Sequence, residues 1–277
     1  MPMPSLSIII PTHKRPQILK ECLRHLAVQT IRDQLEVIVV HDGEDDAETR
    51  SVIPSWVTYF SIPKSQQGVA RNRGVEVATA PIVLFGQDDI FFAPDACEKH
   101  LKAHETSLTA VLGFTEWDPA VGITDVMRWL DRTGWQFGYV KLKKFRNRCV
   151  LKNIQHRFTY TSNLSVPYEV AKRVQFLEEV SLYGWEDIEW GLRLRKCGIP
   201  LFYEPDARAL HHHKITLEQS LDRMETLGRS LPEITDINPS LDRMPAGWKL
   251  LAYKILSRLP TLRGQHYKAF LKGMGRA

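Results

Sequence analysis

This 277-residue sequence predicts an α/β domain: a mostly parallel central sheet flanked by helices, with a helical C-terminal extension. Three observations carry that expectation. Apolar runs of strand length recur at Leu6–Ile10, Leu35–Val40 and Ile82–Phe85, and each is apolar almost throughout, as strands covered on both faces tend to be. Helical segments alternate with them, the pattern of right-handed βαβ units. Polar residues follow each run directly, at Pro11–Arg15, His41–Asp46 and Gln87–Asp89, and in such sheets ligands sit beyond the carboxyl ends of the strands.

The elements follow in order. After the first strand, Pro16–Gln29 reads as a helix, with proline in its first turn and Ile18, Leu19, Cys22, Leu23 and Leu26 on one face. A weaker strand at Trp56–Ile62 and a helix at Val69–Ala78 precede the strand ending at Phe85. Pro94–Glu105 reads as a helix and Thr109–Trp117 as a strand, whereas Arg132–Arg157 has no clear period and reads as a long loop or lid. Phe158–Val166 has the composition of a strand. Glu186–Cys197 is a helix closed by Gly198 and Pro200, and Thr216–Gln219 has the spacing of a capping box opening another helix. Near the C-terminus Trp248, Leu251, Ala252, Ile255 and Leu259 recur at helical spacing beside Lys249, Lys254 and Arg258, until Pro260 breaks the pattern; Tyr267, Phe270 and Leu271 repeat the theme.

The charge is unevenly laid out. The net +5 contains eight basic residues and no acid between Arg132 and Tyr168, and eight basic residues against Asp242 alone over 241–277. The rest of the chain is therefore net acidic, which argues against a nucleic-acid partner. Cys22, Cys97, Cys149 and Cys197 show neither a CxxC nor a pairing pattern, so a zinc site and a disulfide framework are not signalled and a reducing cytosol is the expected setting. The N-terminus lacks the basic region and apolar stretch of a signal peptide, and no run reaches the roughly 18 apolar residues of a membrane span.

Five constellations carry chemistry. Gln87-Asp88-Asp89 sets two acids directly after a strand. Adjacent carboxylates repel, so the pair is either a solvated turn or a hard-oxygen site for Mg2+ or Mn2+ bridging a diphosphate. His41-Asp42-Gly43 is either a tight turn or an acceptor for a nucleoside. Gln67–Gly74 opens a helix with Arg71 and Asn72, suited to phosphate, but it is neither a Walker A loop nor GxGxxG, which weakens a P-loop kinase and an NAD dehydrogenase. Gly184-Trp185-Glu186-Asp187 places acids in a first helical turn, where the helix dipole favours them. The flanking tryptophans also suit a sugar ring, and one carboxylate could serve as a general base. His211-His212-His213 would, on a strand, put His211 and His213 on one face as candidate metal ligands.

In order and spacing, these residues resemble family 2 glycosyltransferases with the GT-A fold over about residues 5–230. The resemblance implies that Pro11, Thr12 and Arg15 contact the nucleotide, that Asp42 contacts its base, and that Gly68, Arg71 and Asn72 belong to a donor-binding segment. Gln87-Asp88-Asp89 falls on the DxD position with Gln87 replacing the first acid; Asp89 is the expected metal contact, and Asp88 reaches the ribose or a metal-bound water. Glu186-Asp187 looks like the family's ED motif, whose Asp187 is the catalytic base. The Trp185 context and the later histidines look like galactosyl- and N-acetylgalactosaminyl-transferases, with His211 as first and His213 as second choice of metal ligand. Thr161–Ser165, including Asn163, falls where related enzymes line the donor-sugar pocket.

The implied activity is inverting transfer of a hexose or N-acetylhexosamine from a nucleotide sugar, UDP being preferred, to a glycan or lipid-linked glycan, assisted by Mn2+ or Mg2+. The implied layout is a catalytic domain over 1–230, with a nucleotide-binding half at 1–105 and an acceptor-binding half at 106–230, then a basic extension at 231–277. That extension could lie on the inner face of the cell membrane or pack on the domain. A sugar-phosphate nucleotidyltransferase is the alternative enzyme, although Pro11–Arg15 lacks the glycines of its phosphate loop. A degenerate sugar- or membrane-binding module is the non-catalytic alternative.

Overall fold

The computed structural model describes residues 3–105, 108–179 and 184–276. Its first part obeys the βαβ rule: β1 (Leu6–Thr12), α1 (Pro16–Ala27), β2 (Leu35–Asp42), α2 (Ala47–Ser51), β3 (Val57–Ile62), α3 (Gln67–Val77) and β4 (Ile82–Phe85) form a parallel sheet in the order β3-β2-β1-β4. β1 is buried along its whole length because it divides its side chains between two cores. Ile8 and Ile10 pack with Leu19, Cys22, Leu23 and Leu26 of α1. Ile9, between them in sequence, packs with Ala70 and Val75 of α3. Alternating side chains with both faces covered make the run apolar almost throughout, each large side chain contributing about 1.5–3 kcal/mol. Close approach of α3 to β1 needs Gly74, since a Cβ there would stand 2.4 Å from Ile9 Cγ2.

The second part is mixed. It comprises β5 (Ile90–Phe92), α4 (Ala96–His104), β6 (Ala110–Trp117), α5 (Asp125–Thr133), α6 (Tyr139–Leu142), β7 (Arg148–Cys149), β8 (Leu164–Pro167), α7 (Tyr168–Arg173), α8 (Glu186–Lys196) and β9 (Leu201–His211). The sheet continues from β4 as β8-β6-β9-β5, with β7 on β9; β8, β5 and β7 pair antiparallel, while β6 and β9 run parallel.

Two sequence expectations fail here. Phe158–Val166 is not one strand: a 3-10 turn at Gln155–Phe158 precedes it and β8 begins only at Leu164. Arg132–Arg157 is not a loose lid, because Tyr139, Leu142, Phe145 and Val150 are buried in the larger core and Arg148–Cys149 joins the sheet. Its cations stay outward while its spaced apolar residues anchor it, and that spacing is too irregular to register as a period.

The expected capping box forms. Gln219 N donates to Thr216 Oγ1 at 3.2 Å and Thr216 N donates to Gln219 Oε1 at 2.9 Å, opening α9 (Leu217–Ile237). That helix runs through the 230/231 point, so the extension leaves the domain in mid-helix; the 105/106 point borders residues outside those described. α10 (Gly247–Leu256) and α11 (Leu262–Gly273) follow. α11 packs onto the domain through Phe270 and Leu271 and through His266, which is hydrogen-bonded to Ser220 of α9. α10 buries no residue fully: Tyr253 meets Tyr267, whereas Trp248, Leu251 and Ile255 are exposed, Trp248 at 81%. No helix among the described residues is long and apolar enough to cross a membrane.

Candidate active site

The carboxyl ends of β1, β2 and β4 open into a cleft of 340 Å³, lined among others by Pro11, Thr12, Arg15, Asp42, Gln87, Asp88, Asp89, Asp187, His211 and His213. Strand pairing brings the most distant of these together. β5 pairs antiparallel with β9 in a register that sets Ile90 opposite His211, and His212 N donates to Asp89 O at 2.8 Å. Asp89 thereby faces His211 and His213, which flank that bond, with His211 Nε2 at 3.7 Å and His213 Nδ1 at 3.3 Å from Asp89 Oδ2. His212 turns to the other face, where Nδ1 is hydrogen-bonded to Asp118 Oδ2 at 2.6 Å.

Asp89, His211 and His213 each offer one ligand atom, all within 4.8 Å of one another; among the described residues they are the one such group. One carboxylate and two imidazoles suit a divalent cation such as Mn2+, and Asp89 Oδ1 and His211 Nδ1 are buried without partners. The residues present therefore fit a metal. Arg15 bridges the acid pair, Nη1 reaching Asp88 Oδ1 at 2.8 Å and Nη2 reaching Asp89 Oδ2 at 3.0 Å, and Thr12 Oγ1 donates to Asp88 Oδ2 at 2.8 Å. Burial and the neighbouring Asp89 charge push Asp88 up to about 6, against Arg15 and Thr12. Burial opposes ionisation of Asp89 as well, but the neighbouring His211 and His213 imidazoles and the Arg15 charge outweigh it and hold that carboxyl below the usual range.

Asp187, in the first turn of α8, lines the same cleft. Thr161 Oγ1 donates to its Oδ1 at 2.6 Å and Thr159 Oγ1 donates to its backbone carbonyl at 2.6 Å. The irregular chain before β8 is what delivers these two hydroxyls, and α8 lies close enough that a Cβ on Gly191 would stand 2.3 Å from Thr159 Oγ1. Glu186 points elsewhere: it accepts from Gly184 N at 2.7 Å, and burial, then the Asp187 charge, raises its pKa.

Asp42 faces the cleft while holding the following loop, accepting from Ser65 N at 2.6 Å and from Lys64 Nζ at 2.7 Å. Gln87 Nε2 donates to Gln67 Oε1 at 3.1 Å, which also accepts from Arg71 Nη2.

Five expected contacts lie away from the cleft walls. Asn163 is fully buried, accepting from His100 Nε2 and donating to Ala207 O; its neighbour Ser162, in the turn before β8, lines the cleft instead. Asn72 is spent on Phe176, accepting from its N and donating to its O. Gly68 packs against the Phe176 side chain, and Arg71 lies buried near the same ring. Trp185 Nε1 donates to Leu227 O. Sequence reasoning did not single out Lys64, Phe137 or Arg223 as cleft residues. A lone cation or aromatic in an irregular stretch gives no signal of its own, and only the fold brings these three to one cavity.

Residues 7–163 match Glycosyl transferase family 2. The chain is 29% identical over 226 residues to a validoxylamine A glucosyltransferase of Streptomyces hygroscopicus subsp. jinggangensis (strain 5008), an alignment covering 72% of this chain and 53% of that one. The chain thus spans about half the length of the curated relatives it matches first. Among solved structures, the mannosyltransferase PcManGT from Pyrobaculum calidifontis in complex with GDP-Man and Mn2+ superposes with a TM-score of 0.60 at 18% identity, over 99% of this chain and 76% of that one. S. aureus TarS 1-349 in complex with UDP-GlcNAc gives 0.58 at 13% identity, over 98% and 90%. At such identities the likeness shows the fold, which is GT-A.

Proposed function

Because this chain belongs to glycosyl transferase family 2, we propose that it moves a hexose or N-acetylhexosamine from a UDP-sugar to a hydroxyl of a glycan or lipid-linked glycan, inverting the anomeric centre. One observation supports the reading above the others: Asp187 and the Asp89, His211 and His213 group line the same cleft. Asp89, His211 and His213 would hold Mn2+ or Mg2+, which supplies positive charge beside a departing diphosphate. Asp187 takes the proton of the acceptor hydroxyl as its oxygen bonds to the anomeric carbon and the bond to the diphosphate breaks. Thr161 fixes the direction of that carboxylate. Asp42 and Thr12 mark the nucleotide end of the cleft. Relatives named for UDP-GlcNAc and GDP-Man complexes agree with a nucleotide-sugar donor.

A panel of nucleotide sugars incubated with Mn2+ tests the reading without an acceptor, through slow hydrolysis. Release of UDP from one UDP-sugar is the expected result, and inertness of the whole panel overturns it.

The exposed face of α10 rests, in this reading, on the anionic inner face of the cell membrane. Trp248, Leu251 and Ile255 fall at i, i+3 and i+7, with Lys249, Lys254 and Arg258 beside them. Since α11 is docked on α9, the sound test is substitution and not truncation. Vesicles containing phosphatidylserine should float the wild-type protein and lose it when Trp248, Leu251 and Ile255 are all changed to Glu; equal flotation removes the membrane contact.

A further inference from the structure

Beside the main cleft lies a second cavity, of 230 Å³, that no role assigned so far uses. It shares Gln136, His213, Ile215 and Arg223 with the cleft and runs on along α9 to Gln219 and Thr226. No residue from the carboxyl ends of β1 or β2 lines it, so it extends away from Asp42 and Lys64 on the far side of His213. None of its lining residues is acidic. Arg223 projects from the second turn of α9 into both cavities, and its Nε is buried without a partner. Arg71 and Arg243 also bury an unpaired Nε, but neither lines this cavity, and Arg128, Arg146, Arg157 and Arg229 each pair with a carboxylate.

A guanidinium recognises phosphate or carboxylate side-on, through Nε–H and one Nη–H together, and a buried Nε left unpaired is half of such a fork. Amide and hydroxyl side chains from Gln136, Gln219 and Thr226 surround it with neutral hydrogen-bonding groups. We propose that this cavity is an acceptor subsite for an anion, in which Arg223 grips a phosphate or carboxylate carried by the acceptor next to its reacting hydroxyl. The inference rests on the glycosyltransferase reading and narrows it to acidic acceptors. Its placement sets the anion apart from the nucleotide end, while Gln136, Ile215 and Arg223, which line both cavities, keep it continuous with the cleft that Asp187 lines.

The test titrates inorganic phosphate by calorimetry into the full chain already saturated with UDP and Mn2+, so that the donor's own phosphate positions are filled. Wild-type protein should bind phosphate; Arg223→Gln should weaken it at least tenfold, Arg223→Lys should recover part of it, and UDP affinity should stay within twofold in both. Thr226→Glu, which adds a carboxylate to the same cavity without touching Arg223, should abolish phosphate binding as well and guards against a folding defect in the arginine variants. Phosphate binding that survives in Arg223→Gln would place the ion elsewhere and overturn the inference. A tenfold loss of UDP affinity with phosphate binding unaltered would assign Arg223 to the donor diphosphate and also overturn it. Absence of UDP binding in the wild type would overturn the UDP-donor reading on which this inference rests, and this inference with it.

Discussion

Two pairs of adjacent carboxylates stand at this cleft, Asp88, Asp89 and Asp187 lining it and Glu186 turned away, and they are compensated in opposite ways. Asp88 and Asp89 are surrounded by cationic or potentially cationic groups: Arg15 bridges both, and His211 and His213 approach Asp89. Glu186 and Asp187 are met by neutral donors instead, the Gly184 amide and the Thr161 hydroxyl. In both pairs burial and like-charge repulsion push one acid up, Asp88 and Glu186, and its partner is the acid given a role in the proposed transfer. A carboxylate among imidazoles suits a cation, whereas one held by a hydroxyl beside open space suits a proton in transit. Neighbours thus divide the labour between two dipeptides that look alike in sequence.

The sharpest way to break that comparison is Asp187→Asn. It keeps the shape and removes the base, so the transfer rate should fall by roughly 10²–10⁴-fold while UDP and Mn2+ binding persist. Comparable turnover in that variant would deprive the second pair of its role. Asp89→Asn and His211→Ala should do the reverse, striking binding first: Mn2+ affinity should drop by more than the roughly 10–100-fold that loss of a ligand's supporting partner costs, and donor affinity should follow. Manganese titration with and without UDP reads this directly, and undiminished affinity would detach the first pair from metal. A smaller effect belongs to Thr161→Val, nearly isosteric but without the hydroxyl. Losing a hydrogen bond to a charged group, worth about 1.5–3 kcal/mol, should lower kcat by roughly 10–100-fold with KM for the donor little changed; a change confined to KM would make Thr161 a donor contact.

Much of this was legible in the sequence, for reasons that can be stated. β1, β2 and β4 are covered on both faces, so their burial is written into consecutive residues, and the acids after them follow from the sheet rule. Asp187 was legible because it opens a helix with a clear stop at Gly198. The metal candidates were legible as a face of a strand, although the β5–β9 register that joins Asp89 to His211 and His213 spans far too much sequence to be read locally. What misled was local signal overridden by distant packing. Phe158, Tyr160 and Thr161 have the composition of a strand, yet the chain there turns to bring Thr159 and Thr161 to α8. Arg71 and Asn72 are polar and stand at a helix start, which suggests phosphate, while the fold spends Asn72 on the Phe176 backbone and sets Arg71 near its ring.

Histidines extend the comparison to a second pair of settings, and to the smallest expected effect. His211 and His213 stand beside a carboxylate. His100 and His104 lie on the back of the segment that carries Thr161, hydrogen-bonded at 2.8 Å to Ser165 Oγ, with no carboxylate among the causes that shift them. Burial lowers His100 from 6.5 to about 4 and, with the His100 charge added, His104 to about 3. A histidine whose folded pKa is depressed loses nothing above 6.5, where both states are neutral. As pH falls from 6.5 toward 4 the unfolded chain takes up protons that the native one refuses, so stability drops, by about 2 kcal/mol per histidine at pH 5. His104→Gln keeps a donor toward Ser165 and removes one titration. Urea unfolding of the wild type should weaken by several kcal/mol between pH 7 and pH 5, and the variant should lose about 2 kcal/mol less over the same interval. An identical slope in both would mean that His104 protonates in the native state and that the wall behind Thr161 tolerates its charge.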